Sequence, residues 1–328
     1  MRARAPGLPI AFVGEVPEEL ARAALGPPLA FRRAACDVGL RQLDALRIDE
    51  PGSAAACAAF DAGWEARVAE EETWLRSSGA RLAVCDVPAL PFEAAARAGV
   101  PAVGLANFSW DWIYRHLAVR QPALLASAER AARAYRQAPL LLSLPFAGDL
   151  SAFPRREEVG LVVRRPRTPR AEGRRRLGLD GRPAALLSFG GIGLPSLRRE
   201  ALGGEGEISW LLPEELPPAR LAALGLTYPD VVGAVDAVVT KPGYGIAADC
   251  IGAGTRMLYT GRGDFPEYPV MVRELPRWLA VRHLPGEELL SGRLAEPVRR
   301  LLEQPVPVPP GPLDGAQRAA ERLLGILG

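Results

Sequence analysis

The segment 234–269 constrains the fold more than any other part of the chain. Residues 237–240 are apolar and rich in β-branched side chains, which is typical of a buried parallel strand. Proline and two glycines interrupt this pattern at 241–245, and 246–253 then has the composition of a short helix. A second run at 256–260 predicts the next strand. This strand–loop–helix–strand order predicts an α/β fold with a parallel sheet.

The loops that follow these two strands contain the candidate binding residues. A glycine-rich loop entering a helix presents free backbone N–H groups and the positive end of the helix dipole, which favours an anion such as phosphate. In open α/β sheets, ligands bind at the carboxyl ends of the strands, where the second loop also lies. We therefore predict a ligand site that includes Lys241, Gly243, Tyr244, Gly245, Asp249, Arg262, Asp264 and Glu267.

These residues also have simpler interpretations. Gly243 and Gly245 could serve only the turn, and Asp249 could stabilise the helix dipole without any ligand. Lys241 is the only lysine in the chain. A lysine at this one position, where every other basic side chain is an arginine or a histidine, is an indication of function.

Composition limits the classes of protein to consider. The 328 residues are enough for about two domains, and 48% hydrophobic with 24% charged residues predicts a globular chain with a large core. A net charge of +2 gives no case for nucleic-acid binding. The four cysteines are far apart and only two histidines accompany them, which predicts neither a disulfide framework nor a metal site. We therefore expect a cytoplasmic protein, and no stretch approaches the ~20 apolar residues of a membrane span.

Strand and helix patterns alternate in both halves of the chain, which predicts two Rossmann-like domains with a cleft between them. In the first half, apolar residues at helical spacing predict one long helix at 53–78. The arginine clusters in the Pro- and Gly-rich middle of the chain predict a solvated surface. The predicted parts are an N-terminal domain at 1–150, a linker region at 151–183, a C-terminal domain at 184–312 and a terminal helix at 313–328.

An unusual octapeptide, Asn-Phe-Ser-Trp-Asp-Trp-Ile-Tyr at 107–114, follows a predicted strand end. Polar side chains at a strand end are well placed for a ligand, so Asn107, Ser109, Trp110 and Asp111 are candidates. The alternative is structural: the aromatic residues form the core face of a helix running on to Tyr135, and the polar residues cap that helix.

Together with four other segments, the octapeptide gives the sequence a resemblance to a known group of proteins. The residues that carry the resemblance are the octapeptide, Val-Val-Arg-Arg at 162–165, Phe-Gly-Gly at 189–191, Lys241 with the motif at 243–245, and the helix at 315–324. The chain resembles GT-B glycosyltransferases, most closely the glycosyltransferase-like domain at the front of plant L-arabinokinases and related bacterial proteins. It is more distantly similar to the enzymes that add N-acetylglucosamine to the lipid-linked cell-wall precursor.

The resemblance implies a donor site in the second domain. The residues at 243–245 would cradle the phosphates, and Asp249 would take the ribose in place of the usual Glu. Asn107 to Asp111 would lie near the acceptor in the first domain. Such enzymes transfer the sugar with inversion, using a base from the first domain and no essential metal or cofactor, and UDP is the expected nucleotide. Gly190 and Gly191 would approach the diphosphate or sugar, and Asp264 to Glu267 would border the sugar.

The sequence departs from this family at its start. Members open with a strand and a His- and Gly-rich loop that supplies the base, and nothing here matches that loop. We expect an N-terminal domain that lacks this strand and loop, and an exposed sheet edge that a homo-oligomer could cover. Two functions remain open. One is a glycosyltransferase using a UDP-sugar, whose base is either missing from this chain or replaced, with Asp111 as the candidate replacement. The other is a non-catalytic, nucleotide-sugar-binding regulatory protein. A GT-B epimerase is a weaker third option, because it needs His and carboxylate clusters that the sequence lacks.

Overall fold

A computed structural model describes residues 1, 3–190, 194, 196–203 and 206–328. By its contacts the chain divides into two compact units. The final helix belongs with the N-terminal part of the chain, and a short N-terminal segment belongs with the C-terminal part. Unit 1 comprises Met1–Arg41, Asp49–Gly160 and Gly315–Gly328, and unit 2 comprises Gln42–Ile48 and Leu161–Asp314.

All the strand pairs in the described sheets are parallel. Unit 1 contains a two-stranded sheet, β1–β2, and a four-stranded sheet in the order β3-β4-β5-β6. Unit 2 contains a five-stranded sheet in the order β8-β7-β9-β10-β11. The strands are β1 Ile10–Gly14, β2 Leu29–Arg33, β3 Ala83–Cys85, β4 Ala102–Ala106, β5 Leu140–Ser143, β6 Arg156–Glu158, β7 Ala184–Ser188, β8 Ser209–Leu211, β9 Ala237–Thr240, β10 Arg256–Tyr259 and β11 Val281–His283.

Helices connect these strands. None of the described helices is both long enough and apolar enough to cross a membrane. The helices are α1 Glu18–Leu25, α2 Glu50–Ala62, α3 Trp64–Ser78, α4 Leu90–Ala98, α5 Trp110–Ala118, α6 Leu124–Tyr135, α7 Arg170–Leu177, α8 Pro218–Ala223, α9 Tyr228–Ala234, α10 Tyr244–Ala253, α11 Glu267–Glu274, α12 Gly286–Leu290, α13 Ala295–Leu302 and α14 Gly315–Leu327.

Two long helices expected from the sequence are each divided in the structure. The prediction of one helix at 53–78 was wrong because the chain breaks at Gly63, which lies between α2 and α3. The helix expected to run from the octapeptide to Tyr135 also divides, into α5 and α6, with Pro122 in the connection. Proline lacks a backbone N–H and glycine gains the most freedom outside a helix, so both residues favour these breaks.

An aromatic cluster in unit 1 fixes where α5 begins. The rings of Tyr135 and Phe153 stack with their centroids 4.6 Å apart, and Phe92 meets both edge-on at 5.7 Å. The buried Tyr135 hydroxyl donates to the Val87 carbonyl at 2.6 Å and accepts from the Trp110 backbone N–H at 3.2 Å. The octapeptide is therefore held by the core of unit 1.

The sheet of unit 2 has the doubly wound order in which its second strand lies outside its first. Numbered within the unit, the strand order is 2-1-3-4-5, so the order in which strands are added to the sheet reverses between β7 and β9. Ser188 at the end of β7 lies opposite Thr240 at the end of β9. In sheets of this order, ligands bind beyond the carboxyl ends of these two strands.

Gly148 tests the packing around α5. A Cβ atom at this position would overlap the ring of Trp112, and the Gly148 N–H donates to the Asn107 carbonyl at 2.9 Å. We expect Gly148→Ala to lower the free energy of unfolding by about 1–3 kcal/mol because the Trp112 ring must move to admit the methyl group. Urea denaturation measures this. Gly7→Ala is the control, since a Cβ at Gly7 has nothing within 4 Å; equal losses in the two variants would contradict the packing described here.

Candidate functional site

A cavity of about 370 Å³ lies in unit 2 at the point where the strand order of the sheet reverses. The carboxyl end of β7 forms one side of it, and the first turns of α10 form another. Its volume is within the range of small-molecule sites, roughly 300–1,000 Å³. Its lining includes Arg164, Phe189, Gly190, Tyr228, Gly245 and Asp249.

The start of α10 makes one wall of the cavity suitable for an anion. Gly243 precedes the helix in an extended conformation, with φ −158° and ψ 154°. Gly245 lies in the first turn, where a Cβ would meet nothing within 4 Å. Neither glycine has a positive φ, so turn geometry does not account for them. Because the first N–H groups of a helix have no intrahelical partners, this wall presents donors and the positive end of the dipole.

Asp249 lies at the cavity wall, where it forms an ion pair with Arg164. The residue is 1% exposed, and its two carboxylate oxygens accept from the Arg164 guanidinium at 3.0 Å and 2.5 Å. Burial raises the pKa of Asp249, and the adjacent Arg164 opposes that rise. The Arg164 side chain is 64% exposed, so it covers the carboxylate from the solvent side.

A second group of charged residues surrounds Lys241, at the carboxyl ends of β9 and β10. Arg262 donates to the Glu267 carboxylate at 2.8 Å, and its guanidinium lies 4.0 Å from the centre of the Phe265 ring. Lys241 Nζ donates to Gln42 Oε1 at 3.2 Å. Burial and the nearby Arg262 lower the pKa of Lys241 to about 8, while Asp44 acts in the opposite direction.

The remaining predicted donor residues have different surroundings. Gly190 is exposed at the cavity with a φ of +74°, and Asp264 is exposed in the loop after β10. Tyr244 directs its hydroxyl to the Val162 N–H, from which it accepts at 3.1 Å, and burial raises the pKa of this phenol to about 12. Tyr244 therefore holds the neighbouring segment of the chain. Gly191 lies outside the described residues.

The predicted acceptor residues lie together in unit 1, at the start of α5. Ser109 Oγ donates to the Asp149 carbonyl at 3.2 Å, and Trp110 Nε1 donates to Asp37 at 2.7 Å. Trp110 also stacks on Tyr114 at 5.3 Å. Asn107 is buried, and its carbonyl accepts from the Gly148 N–H. These contacts hold the octapeptide in the fold, in line with the structural alternative.

Asp111, the candidate base, is buried in the first turn of α5. It is 7% exposed, and its Oδ1 has no hydrogen-bond partner among the described groups. Burial raises its pKa, and nearby Asp149 adds to the rise. Ser109, Arg115 and the Trp112 N–H oppose the rise. A carboxylate with a raised pKa is a better proton acceptor than an ordinary surface carboxylate.

Arg164 and Gln42 contact predicted site residues but were themselves absent from the predicted site. Arg164 belonged to an arginine cluster predicted to be a solvated surface, and Gln42 lies 199 positions from Lys241. The resemblance at 162–165 included Arg164 and was the one signal for it. No local pattern points to Gln42.

Solved structures identify the fold. The calicheamicin glycosyltransferase CalG4 superposes with a TM-score of 0.56, at 16% identity, over 99% of this chain and 89% of that chain. Os79 from O. sativa, determined in complex with UDP, superposes with a TM-score of 0.55, at 15% identity, over 99% of this chain and 90% of that chain. The chain therefore has the GT-B glycosyltransferase fold, and the predicted fold class is confirmed.

The sequence comparison is more specific. The chain is 30% identical over 314 residues to L-arabinokinase from Arabidopsis thaliana, across 90% of this chain and 29% of that protein. The chain thus spans under a third of the length of this relative. No family model matches the chain. The predicted resemblance to GT-B glycosyltransferases and L-arabinokinase is confirmed.

Arg164→Met tests the ion pair in the cavity. This change leaves a buried carboxylate unpaired, and we expect a loss of about 1–3 kcal/mol in unfolding free energy, less than for a fully buried pair because Arg164 is exposed. Without the guanidinium, the pKa of Asp249 in the folded state rises further above its unfolded value. The folded state then binds more protons than the unfolded state, so stability falls as pH rises between the two values.

Urea denaturation at about pH 5 and about pH 7.5 measures this difference. Arg175→Met is the matched control, because its partner Glu172 is more exposed than Asp249 and keeps a second ion pair with Arg176. We expect the deficit of Arg164→Met to be larger at the higher pH and that of Arg175→Met to be small at both. Equal deficits in the two variants would show that Asp249 does not depend on Arg164.

Proposed function

We propose that unit 2 binds a nucleotide-diphosphate sugar, with UDP as the nucleotide. We also propose that the chain is a glycosyltransferase that transfers the sugar with inversion of configuration at the anomeric carbon. The observation that carries this proposal is the cavity at the point where the strand order of unit 2 reverses. The start of α10 borders this cavity. The complex of Os79 with UDP supports the choice of nucleotide. In this proposal the nucleoside occupies the cavity and the diphosphate meets the first turn of α10.

Asp249 is the proposed acceptor for the ribose hydroxyls. Both of its oxygens are bound by Arg164, so the ribose must displace this arginine or share the carboxylate with it. Displacement is feasible because the Arg164 side chain is largely exposed and can move into solvent. The role of Arg164 is then to neutralise a buried carboxylate until a ligand arrives.

Inverting transfer needs one proton acceptor. The acceptor hydroxyl loses its proton to a base as its oxygen attacks the anomeric carbon, and the bond to the nucleoside diphosphate breaks on the opposite side. Asp111 is the proposed base, supported by the burial that raises its pKa. A base of this kind contributes about 10²–10⁴ to the rate.

A non-catalytic function is the second candidate, and a specific observation favours it. Asp111 is almost completely buried, and Ser109 and Trp110 use their polar atoms in contacts within unit 1. If the octapeptide has a purely structural role, it supplies no base for the reaction. Unit 2 would then bind a nucleotide sugar that the chain does not transfer. The chain would then be a regulatory nucleotide-sugar-binding protein.

A cytoplasmic location and a homo-oligomer are further parts of the proposal. All four cysteines are free thiols, which suits a reducing compartment. The two separate parallel sheets of unit 1 leave strand edges without a partner in the described part of the chain. Such edges favour association with another strand, so a second copy could cover them.

Calorimetric titration with UDP, GDP, UMP and UDP-sugars tests donor binding. We expect UDP to bind and Asp249→Asn to weaken it about tenfold or more, because a hydrogen bond to a charged group is lost. Asp236→Asn is the control, since Asp236 also pairs with arginines in unit 2 but does not line the cavity. A folded protein that binds none of these nucleotides would overturn the proposal.

Turnover separates the two candidate functions. If Asp111 is the base, Asp111→Asn lowers the rate of UDP-sugar hydrolysis or transfer about 10²-fold or more while the Kd for UDP stays the same. Asp61→Asn is the control, because Asp61 is another carboxylate of unit 1 with internal partners, Ser127 and Arg130. Binding of UDP-sugars without any turnover in the unmodified chain favours the regulatory protein.

A further inference from the structure

The segment Gln42–Ile48 is a small hairpin that belongs to unit 2 although both flanking stretches belong to unit 1. Its two ends form an antiparallel bridge, and the Leu43 N–H donates to the Arg47 carbonyl at 2.9 Å. Asp44 Oδ1 accepts from the N–H groups of Leu46 and Arg47 at 2.8 Å and 2.9 Å. The hairpin is therefore closed by its own hydrogen bonds and has a fixed shape.

The hairpin is packed into unit 2. Ala45 is 2% exposed and belongs to the apolar core that includes Leu187 and Val239 from β7 and β9. Leu46 packs against the same core. The Leu46 carbonyl also lies so close to Gly263, which follows Arg262, that a Cβ there would come within 3.1 Å of it. The hairpin is thus anchored to unit 2 through Ala45 and Leu46, next to the loop that follows β10.

Its first residue meets the only lysine of the chain. Gln42 Oε1 accepts from Lys241 Nζ at 3.2 Å, directly after the end of β9. The other charged groups around this amine are Asp44 from the hairpin and Arg262, whose charge is balanced by Glu267. An amide oxygen holds one of the three N–H groups of an ammonium and leaves two of them free to donate elsewhere.

We propose that Gln42 is a positioning residue, which holds Lys241 so that its ammonium meets the leaving diphosphate of the donor. Gln42 is then a component of the donor site, and the rest of the hairpin holds Gln42 in unit 2. This inference rests on the proposed function. When the bond between the anomeric carbon and the diphosphate oxygen breaks, the electron pair stays on that oxygen, and a cation fixed beside it stabilises the charge.

The chemistry of glutamine suits this position. A carboxylate at 42 would neutralise Lys241 and repel the diphosphate, whereas an apolar side chain would leave a half-buried ammonium without its acceptor. An amide orients the ammonium and keeps its charge available. Gln42→Leu and Gln42→Glu therefore disturb the site in opposite electrostatic directions.

Nuclear magnetic resonance measures the contact directly. With isotopically labelled lysine, the single Lys241 gives one side-chain signal, which can be titrated from about pH 6 to about pH 10.5. We expect a midpoint near 8 in the unmodified chain. Gln42→Leu should lower this midpoint and Gln42→Glu should raise it. Leu43→Ala is the control, because Leu43 lies in the same hairpin, is 60% exposed and should leave the midpoint unchanged.

Nucleotide affinity measures the consequence. We expect Gln42→Leu and Lys241→Met each to weaken UDP about tenfold or more, with a much smaller effect on UMP, which lacks the second phosphate. UDP affinity should fall as pH rises through the lysine midpoint, and this pH dependence should vanish in Lys241→Met. Gln42→Glu should also weaken UDP, since its added charge repels the diphosphate even though Lys241 stays protonated.

The two measurements separate this inference from the proposed function. If the unmodified chain does not bind UDP, the proposed function fails, and the titration of Lys241 still reports whether Gln42 contacts it. If UDP binds but Gln42→Leu changes neither the lysine midpoint nor UDP affinity relative to Leu43→Ala, the positioning role of Gln42 is overturned.

Discussion

The pairing of β7 with β9 in the sheet of unit 2 is the constraint on which the candidate site depends. Ser188 and Thr240 lie opposite each other at the carboxyl ends of these strands, and Thr240 Oγ1 donates to the Ser188 carbonyl at 2.5 Å. Because the next strand after β7 pairs on its outer side, the loops that leave β7 and β9 diverge. The cavity of about 370 Å³ occupies the space between them.

Two pairs of polar residues lie in unit 2 near these strand ends, one at the cavity and one directly after β9, and each pair joins distant parts of the sequence. Arg164 neutralises the buried carboxylate of Asp249, 85 positions away, and Gln42 holds the ammonium of Lys241. Both pairs place a charge in partly buried surroundings, where electrostatic interactions are stronger than in water. The site therefore contains one compensated anion at the cavity and one oriented cation beyond β9.

The sequence predicted the strands and helices around the site but not the contacts between them. Apolar β-branched runs and helix-ending glycines report local conformation, so β9, α10 and β10 were predicted within a few residues. The break at Gly63 was missed because the helical spacing of apolar residues continues across it. Arg164 and Gln42 could not be placed with their partners, since their contacts arise from the folded chain and leave no local pattern. The predicted roles of Asp111 and Asp249 remain predictions.

A crystal structure of the full chain with bound UDP tests the central claim most directly. The account predicts the nucleoside in the cavity of unit 2, its ribose hydroxyls at Asp249, and its diphosphate within hydrogen-bond distance of the first N–H groups of α10. Arg164 should then have left at least one of the two Asp249 carboxylate oxygens to which it donates here. UDP bound at another surface, with the pair of Arg164 and Asp249 unchanged, would contradict the account.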